Sequence, residues 1–433
     1  MKIHSQRNAG SILAITLVSV GIMGVALVSY LGLVRQQNLS TMRSQQWNLA
    51  LPIAEAGVEE ALVHLNSAVD GNRATNGWTF TNGVFWKERW ISSNKFIVTI
   101  TTNFQNPVIV SQGYVVDVDG SGLLPSPRTV SCTTTNDALF AKGMVAKGVI
   151  DLRGNNIMTD SFDSTDTNYS TGGRYDPTKA KDNGDIATNS GLVNSLSVGN
   201  ADIHGKASTG PGGSISVGSQ GGVGSKAWLD AGNHGVQPGY SKDDMNVTFP
   251  DVLAPWSGGA SSVGSGSVSG TNYTYVVGTG NYQMSSLSMS GNQGMIVTGN
   301  AVLYVTGNIS LSGQSKISIM PGASLKLYMG GASASIGGNG VANANASALS
   351  FSYWGLPSNT SVTFGGNASF TGTIYAPNAA FSLGGGGNNT YDFVGASITG
   401  TVMMNGHYNF HYDEALGKIG ASRGFLITGW NEI

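Results

Sequence analysis

Charge and cysteine are both scarce in this sequence. Asp, Glu, Lys and Arg make up 11% of the 433 residues, whereas they make up about 25% of an average soluble domain. The formal net charge is −2, so the chain lacks the basic excess that attracts nucleic acid. The single cysteine, Cys132, cannot form an intrachain disulfide. We therefore predict no nucleic-acid partner and no disulfide framework.

Carboxylates are absent from a long stretch of the second half of the chain. In residues 252–391 the only charged side chains are Lys316 and Lys326, and there is no histidine. Enzymes that cleave polysaccharides need carboxylates for acid–base chemistry or for binding calcium. Phosphate-loop, C-x-x-C and H-E-x-x-H motifs are also missing. We therefore predict a protein without enzyme activity, catalytic residues, cofactor or metal.

An uncharged apolar run is present at the start of the chain, between Arg7 and Arg35. As a helix this run spans roughly 40 Å, more than the roughly 30 Å hydrocarbon core of a bilayer. The apolar core of a cleaved signal peptide is shorter, at about 7–15 residues. We predict a membrane-spanning helix that continues to about residue 68. The protein would then cross the inner membrane once, with its bulk in the periplasm or at the cell surface.

Two further features of the N-terminal residues resemble a known family. Arg7 and Gly10 precede the apolar run, and an AEAG-x-E-x-A motif follows it, formed by Ala54, Glu55, Ala56, Gly57, Glu59 and Ala61. This start is similar to that of type IV pilins and, more closely, of PilX-type pilus-assembly proteins. The resemblance implies cleavage by a prepilin peptidase between Gly10 and Ser11 and association with other pilin-like subunits. The glutamate that this family carries five residues into the mature chain is replaced here by Ile15.

Residues 69–137 predict a small β-rich domain. Aromatic and β-branched runs alternate with Asn, Gly and Pro turns in WTFTNGVFW, KFIVTITTNF, NPVIVSQGYVVDV and RTVSCTTT. The long helix has apolar residues at spacings of three and four around residues 51–65, and this face needs a covering sheet or a neighbouring subunit. Together they predict a pilin-like α+β region.

The chain from residue 138 to 425 predicts a mainly-β domain built on a repeat. Apolar pairs recur about every 20 residues, as Val362/Phe364, Phe381/Leu383 and Val402/Met404. This period is typical of one rung of a parallel β-helix, and we predict a right-handed one. A β-sandwich or a flat antiparallel sheet remains the alternative. Residues 160–245 are polar and glycine-rich, which predicts an irregular insertion. Residues 140–416, which end in IYAPNA and HYDEAL segments, resemble a domain of unknown function found behind pilus-like helices.

Three groups of side chains invite a functional interpretation. His407, Asn409, His411 and Asp413 would lie on one side of a strand, as metal ligands or, in the favoured interpretation, as the polar cap of a solenoid end. Asp160, Asp163 and Asp166 could bind a cation or form an ordinary loop. Five aromatic residues could stack on a surface glycan or pack in the core: Trp228, Tyr240, Trp256, Tyr273 and Tyr275.

We therefore predict a non-enzymatic, membrane-anchored assembly or cell-surface structural protein that presents a β-solenoid. A surface adhesin, or a carbohydrate-binding or carbohydrate-active β-helix protein, is the alternative. Its partners would be the membrane, other pilin-like subunits and a prepilin peptidase, with a surface glycan under the alternative.

Overall fold

The computed structural model describes the chain in eight segments: residues 9–67, 77–101, 106–117, 122–153, 157–365, 369–385, 390–406 and 408–433. The chain forms two compact units. The first comprises Met1–Asp137 together with Arg423–Ile433, and the second comprises Ala138–Ser422. The second unit is therefore inserted into the sequence of the first.

A single long helix opens the first unit. Helix α1 (Ala9–Ser67) has 59 residues and continues through Pro52, which gives a length of about 90 Å. Side chains of residues 12–33 are exposed on every face of the helix. Within the described part of the chain, this is the one helix long and apolar enough to cross a membrane. The predicted long apolar helix at the N-terminus is confirmed.

The second part of α1 packs on an antiparallel sheet. Its buried residues include Ala50, Ala54, Val58 and Leu65, which contact Phe96, Val98 and Ile109 of the sheet. Inward-facing positions alternate with outward-facing ones along these strands, as a half-buried sheet requires. The strands are β1 (Thr79–Thr81), β2 (Val84–Ile91), β3 (Asn94–Thr101), β4 (Val108–Tyr114) and β5 (Arg128–Ala138).

The sixth strand of this sheet comes from the far end of the chain. Residues Ser422–Glu432 lie beside β5. The Ile433 amide donates to the Thr129 carbonyl oxygen at 3.0 Å, and Arg128 Nε lies 2.5 Å from Glu432 Oε1. The predicted second domain extends to residue 425 and includes no such strand, so the predicted boundary differs from the one in the structure. The chain thus returns to its first unit after the insertion.

The second unit is mostly β, with strands arranged in a 23-stranded and a 5-stranded sheet. Among the described strand pairings of this unit, only β18–β19 is antiparallel. The first group of strands is β6 (Met144–Ala146), β7 (Ile150–Leu152), β8 (Met158–Phe162), β9 (Ile186–Thr188), β10 (Leu196–Gly199), β11 (Asp202–His204), β12 (Ala207–Ser208), β13 (Ile215–Val217), β14 (Gly222–Gly224), β15 (Gly235–Val236) and β16 (Ser241–Lys242).

The second group of strands is longer and more regular. It consists of β17 (Ser261–Ser262), β18 (Gly264–Val268), β19 (Thr271–Val277), β20 (Gly280–Met284), β21 (Leu287–Met289), β22 (Gly294–Val297), β23 (Asn300–Val305), β24 (Ile309–Leu311), β25 (Lys316–Ile319), β26 (Ser324–Met329), β27 (Ser333–Ile336), β28 (Val341–Asn343), β29 (Phe351–Gly355), β30 (Ser361–Phe364), β31 (Phe370–Gly385), β32 (Tyr391–Gly406) and β33 (Tyr408–Asp413). The strand beside β5 is accordingly β34 (Ser422–Glu432). Short helices α2 (Lys226–Asp230) and α3 (Leu416–Ile419) and two 3₁₀ turns (Pro177–Lys179 and Ala348–Ser350) lie between strands.

The apolar repeat predicted from the sequence is confirmed by the strand register. Val362 pairs with Phe381 and Phe381 with Val402, and all three are buried. The column continues from Val402 to Ile150 on β7. Because parallel strands in register place equivalent side chains over one another, these residues form a continuous apolar column.

The chain enters this stack in its middle. The C-terminal strand β32 pairs with β6 and β7, and β33 pairs with β8. From this junction, strands β9 to β16 extend the stack in one direction, and strands β31 back to β17 extend it in the other. The sequence predicted an irregular insertion over residues 160–245. The structure differs, because residues 186–242 of this stretch form paired strands. Strands of two to four residues are too short to show periodicity in the sequence.

A strap, which we define as residues 245–256, connects the two ends of the stack. The Met245 amide donates to the Thr209 carbonyl near one end, and Trp256 Nε1 donates to Gln283 Oε1 at 3.1 Å near the other. Between them, the Tyr375 hydroxyl donates to the Pro250 carbonyl oxygen at 2.7 Å. The strap is needed because β16 and β17 lie at opposite ends of the same ladder.

Candidate functional site

The small residues of the AEAG-x-E-x-A motif allow α1 to approach its sheet closely. Ala54 and Ala61 have no exposed surface. A Cβ atom at Gly57 would lie 2.2 Å from Ser111 Oγ, and a Cβ atom at Gly113 of β4 would lie 2.1 Å from the Ala50 carbonyl oxygen. These distances are far below van der Waals contact, so two glycines, one on the helix and one on the sheet, set the helix–sheet spacing at two points of the interface. This part of the motif acts in packing.

The acidic residues of the motif are less buried than most of its small residues. Glu55 is half-buried and Glu59 is exposed. The neighbouring Glu60 contacts Lys87 Nζ at 2.5 Å and Arg89 Nη1 at 2.9 Å on β2. Burial opposes ionisation of Glu60, but the hydrogen bonds from Lys87 and Arg89 outweigh it and lower its pKa. Glu60 therefore ties the helix to β2 as a charged group.

The exposed apolar segment, residues 12–33 of α1, is the largest candidate interaction surface of the first unit. Leu17 is 76% exposed and Val28 is 71% exposed. Gly10 and Ser11, the predicted cleavage site, lie in the backbone of the same helix. Soluble monomeric proteins rarely expose contiguous apolar surface of this size, which marks the segment as an interaction surface.

The second candidate site is a buried polar cluster where β33, late in the sequence of the second unit, pairs with β8, early in that sequence. We call it the junction cluster. His411 of β33 pairs in register with Asp160 of β8. His411 Nδ1 lies 2.5 Å from Asp160 Oδ1, and His411 Nε2 lies 3.2 Å from Asp392 Oδ1. The Tyr175 ring stacks on the imidazole at 3.6 Å between centroids, and its hydroxyl donates to Asp160 Oδ2 at 2.6 Å.

The charge of His411 follows from this geometry. Each ring nitrogen faces a carboxylate oxygen, and both can donate only if the imidazole is protonated. Burial of His411 disfavours the charged form, but the hydrogen bonds to Asp160 and Asp392 outweigh it and raise its pKa. Burial and the neighbouring Asp160 raise the pKa of the Tyr175 hydroxyl, so it stays a neutral donor. The geometry and the raised pKa both favour an imidazolium between the two carboxylates.

A second set of contacts continues the junction cluster to α3. Asp413 is fully buried, and its Oδ1 accepts hydrogen bonds of 3.1 Å from the Ser164 and Ala415 amides. Its Oδ2 has no hydrogen-bond donor among the described residues, and burial raises the Asp413 pKa. Glu414 pairs with Lys181, and Asp163 pairs with Lys418. These pairs join the last strand to the loop that follows β8.

Among the described residues, the centre of the junction cluster is closed to solvent and its polar groups bind one another. His411 and Asp160 are at most 2% exposed, so a substrate cannot reach them. The three aspartates do not converge, because Asp163 binds Lys418 and Asp166 accepts from Asn168. No metal-binding group of three or more His, Cys, Asp or Glu side chains occurs among the described residues.

The interpretation of residues 407–413 as the cap of a solenoid end is wrong. Strand β33 lies inside the stack, between β32 and β8. His407 lies outside the described residues. Sequence reasoning missed the partners of His411, because Asp160 is 251 residues away. The sequence did contain one sign of such partners. His411 is a titratable residue in a strand with alternating apolar residues, and such a residue needs a polar partner where it is buried.

A serine motif is also present near the boundary of the insertion. Residues 420–424 read GASRG, which has the G-x-S-x-G spacing of a nucleophile elbow. That elbow leads from a strand into a helix, whereas Ser422 follows α3 and begins β34. The local structure is therefore the reverse of the one that the motif requires.

The five aromatic residues proposed for glycan stacking do not form one surface. Trp256 packs edge-on against Tyr304, and Tyr275 packs against the core. Trp228 lies on α2, whereas Tyr273 lies on β19. Among the described ring contacts, none joins two of the five.

Comparisons with known proteins add a family match and a likeness to a solved structure. A family model described as Domain of unknown function (DUF7305) matches residues 257–419. No curated protein matches the chain. The crystal structure of the competence-associated pilin ComZ from Thermus thermophilus is similar over 90% of this chain and 97% of its own, with 11% identity and a TM-score of 0.30. A likeness at this level carries no conclusion about fold or function.

Proposed function

We propose that this protein is a non-enzymatic, membrane-anchored assembly or cell-surface structural protein of a type IV pilus-like or pseudopilus-like system. The observation that carries the proposal is the division of α1 into an exposed apolar part and a sheet-packed part. One continuous helix, Ala9–Ser67, contains both. Such a helix fixes a folded unit to an apolar environment at a set distance.

The apolar part requires a partner that is not water. Burying apolar surface is favourable by about 25 cal/mol per Å², and residues 12–33 leave large side chains such as Leu17 and Leu31 exposed. The partners we propose are the membrane and, through the same helix, other pilin-like subunits. A prepilin peptidase would cut between Gly10 and Ser11 before assembly, and the motif from Ala54 to Ala61 would pack the helix on its own domain.

The second unit is proposed to be a scaffold, folded as a right-handed parallel β-solenoid outside the membrane. Its parallel ladders and apolar column support that architecture. The lack of carboxylates in residues 252–391 and the burial of the junction cluster support a structural role.

Sequencing the amino terminus of the membrane-bound protein tests the proposal. In a bacterium with a prepilin peptidase, we expect a mature start at Ser11 and recovery of the chain in the membrane fraction. Gly10→Val should abolish cleavage. Gly21→Val is the matched control, because an added Cβ at Gly21 meets nothing within 4 Å. A protein that is recovered in the soluble periplasmic fraction would contradict membrane anchoring, and an intact Met1 would contradict pilin-type processing.

A further inference from the structure

The outer face of the second unit contains a groove that has no part in the assembly role. Its cavity volume is about 270 Å³. Strands β26 and β29 contribute Lys326, Ser352 and Trp354, and the chain segments beside them contribute Leu349 and Ile419. The groove therefore combines a cation, a hydroxyl and apolar walls in a concave site near the size of a small-molecule pocket.

One side of the groove is a polar row that crosses three strands. Lys326 pairs with Ser352, and Ser352 pairs with Thr373. Neighbouring strands are about 4.8 Å apart, so the row is about 10 Å long. Thr373 ends the row and is only 4% exposed, so the groups open to a ligand are Lys326 and Ser352, and their spacing of about 4.8 Å fits one sugar ring.

The other side of the groove is apolar. Leu349 is 42% exposed and Ile419 is 49% exposed at its walls. Trp354 Nε1 donates to Ser352 Oγ at 3.0 Å, which fixes the indole and leaves the Ser352 hydroxyl hydrogen available to a ligand. The Trp354 ring itself packs against Tyr328 and Tyr375, so the apolar side chains open to the C–H face of a pyranose are Leu349 and Ile419.

The positive charge of Lys326 favours an acidic sugar over a neutral one. Lys326 and Lys316 are the only charged side chains in residues 252–391. Lys326 is exposed, and no ion pair engages it among the described residues. An ammonium group in a partly enclosed, apolar-walled site favours a carboxylate partner more strongly than one in open water.

We propose that this groove binds uronic-acid units of an acidic polysaccharide. Lys326 pairs with the sugar carboxylate, Ser352 binds a ring hydroxyl, and Leu349 with Ile419 covers the apolar face of the ring. A phosphate group would use the lysine but not the apolar walls, and a neutral sugar would use the walls but not the lysine. The uronic-acid unit uses both.

Calorimetric titration of the full chain in detergent micelles with oligogalacturonate tests this site. We expect saturable binding by the parent protein that weakens as salt is raised. Lys326→Gln should lower the affinity about tenfold, the loss expected for one charge-assisted hydrogen bond. Leu349→Ser, at an exposed wall, should also lower it.

The matched control is Lys316→Gln. Lys316 is the other exposed lysine of the same carboxylate-free region, but it lies on β25 in the 5-stranded sheet and does not line the groove. Its replacement should leave the affinity unchanged, and neutral dextran should not bind. Absence of binding by the parent overturns the proposal. Equal losses in the two lysine variants do so as well, since they would show non-specific attraction, and tighter binding of inorganic phosphate than of oligogalacturonate would show a simple anion site.

Discussion

At the scale of single residues, the protonation of His411 bears directly on the stability of the fold. A neutral imidazole would place one nitrogen lone pair against a carboxylate oxygen of Asp160 or Asp392. The protonated ring instead joins β33 to β8 through Asp160. Since its pKa is raised in the folded protein, its contribution to stability is complete below the ordinary histidine pKa of about 6.5 and is lost as pH rises through the raised value.

We expect His411→Gln to lower the free energy of unfolding by about 3 kcal/mol near pH 6, because it leaves Asp160 buried without its main partner. The variant should also lose the fall in stability that the parent shows above about pH 6.5. Urea unfolding in micelles from pH 5.5 upward measures both effects. His204→Gln is the contrasting control. Burial lowers the pKa of His204, so its removal should change the acid side of the profile instead. Identical pH profiles for the parent and His411→Gln would contradict the assigned charge.

At the scale of elements, α1 can pack closely on its sheet because Gly57 and Gly113 have no side chains. Replacing a helical glycine by alanine ordinarily stabilises a helix by about 1 kcal/mol. At Gly57 we expect the opposite sign, because the new Cβ would lie 2.2 Å from Ser111 Oγ and 3.0 Å from Phe96 Cδ2. Thermal unfolding followed by circular dichroism measures the change.

The compensating variant Ser111→Ala identifies the cause of that destabilisation. It removes the nearest atom, so the double variant Gly57→Ala/Ser111→Ala should recover most of the lost melting temperature. A Gly57→Ala protein that melts above the parent would show that the helix stands farther from the sheet than described.

The apolar column of the second unit makes a second prediction at this scale. Phe381 lies between Val362 and Val402 and is 1% exposed. Phe381→Asp removes an aromatic core residue, worth at least about 3 kcal/mol, and buries an unpaired charge. Asn378→Ala on the same strand is the control. Its side chain is exposed and loses only hydrogen bonds to Lys147 and Asp251. Melting of both variants at the parent temperature would contradict the register.

These elements also show what the sequence could and could not predict. The pairs around Phe364, Leu383 and Met404 have large side chains at a period of about 20 residues, so the ladder between residues 351 and 406 was predictable. Strands such as β12 and β15 have two residues each and carry no period. The partners of His411 could not be predicted, because only the pairing of β33 with β8 places Asp160 and Tyr175 beside it.

At the scale of the whole molecule, the second unit is an insertion between two neighbouring strands. Strands β5 and β34 lie side by side, and contacts such as Asp137–Arg423 and Arg128–Glu432 run in opposite directions along them. The sequence gives little sign of this return, because the eleven residues of β34 read as a short tail behind a large domain.

We expect the first unit to fold without its insertion. Deleting residues 139–421 and joining β5 to β34 by Asn-Gly, a favoured two-residue hairpin turn, should give a protein with a cooperative melt in micelles. A protein that ends at residue 137 is the control. It lacks β34 and leaves β5 as an unpaired edge, so it should melt at a lower temperature. Equal melting temperatures would show that β34 adds nothing to the sheet.

The position of the junction also sets the order in which the second unit can form during synthesis. Strands β6 to β8 emerge early, and β9 to β11 can cover one flank of them at once. The other flank waits for β32 and β33, roughly 240 residues later, which takes on the order of 10–50 s at about 5–20 residues per second. During that delay the backbone of the first strands is an open template for mispairing. A chain cut short between residues 162 and 413 would therefore leave the second unit with an adhesive strand edge instead of a smaller folded unit.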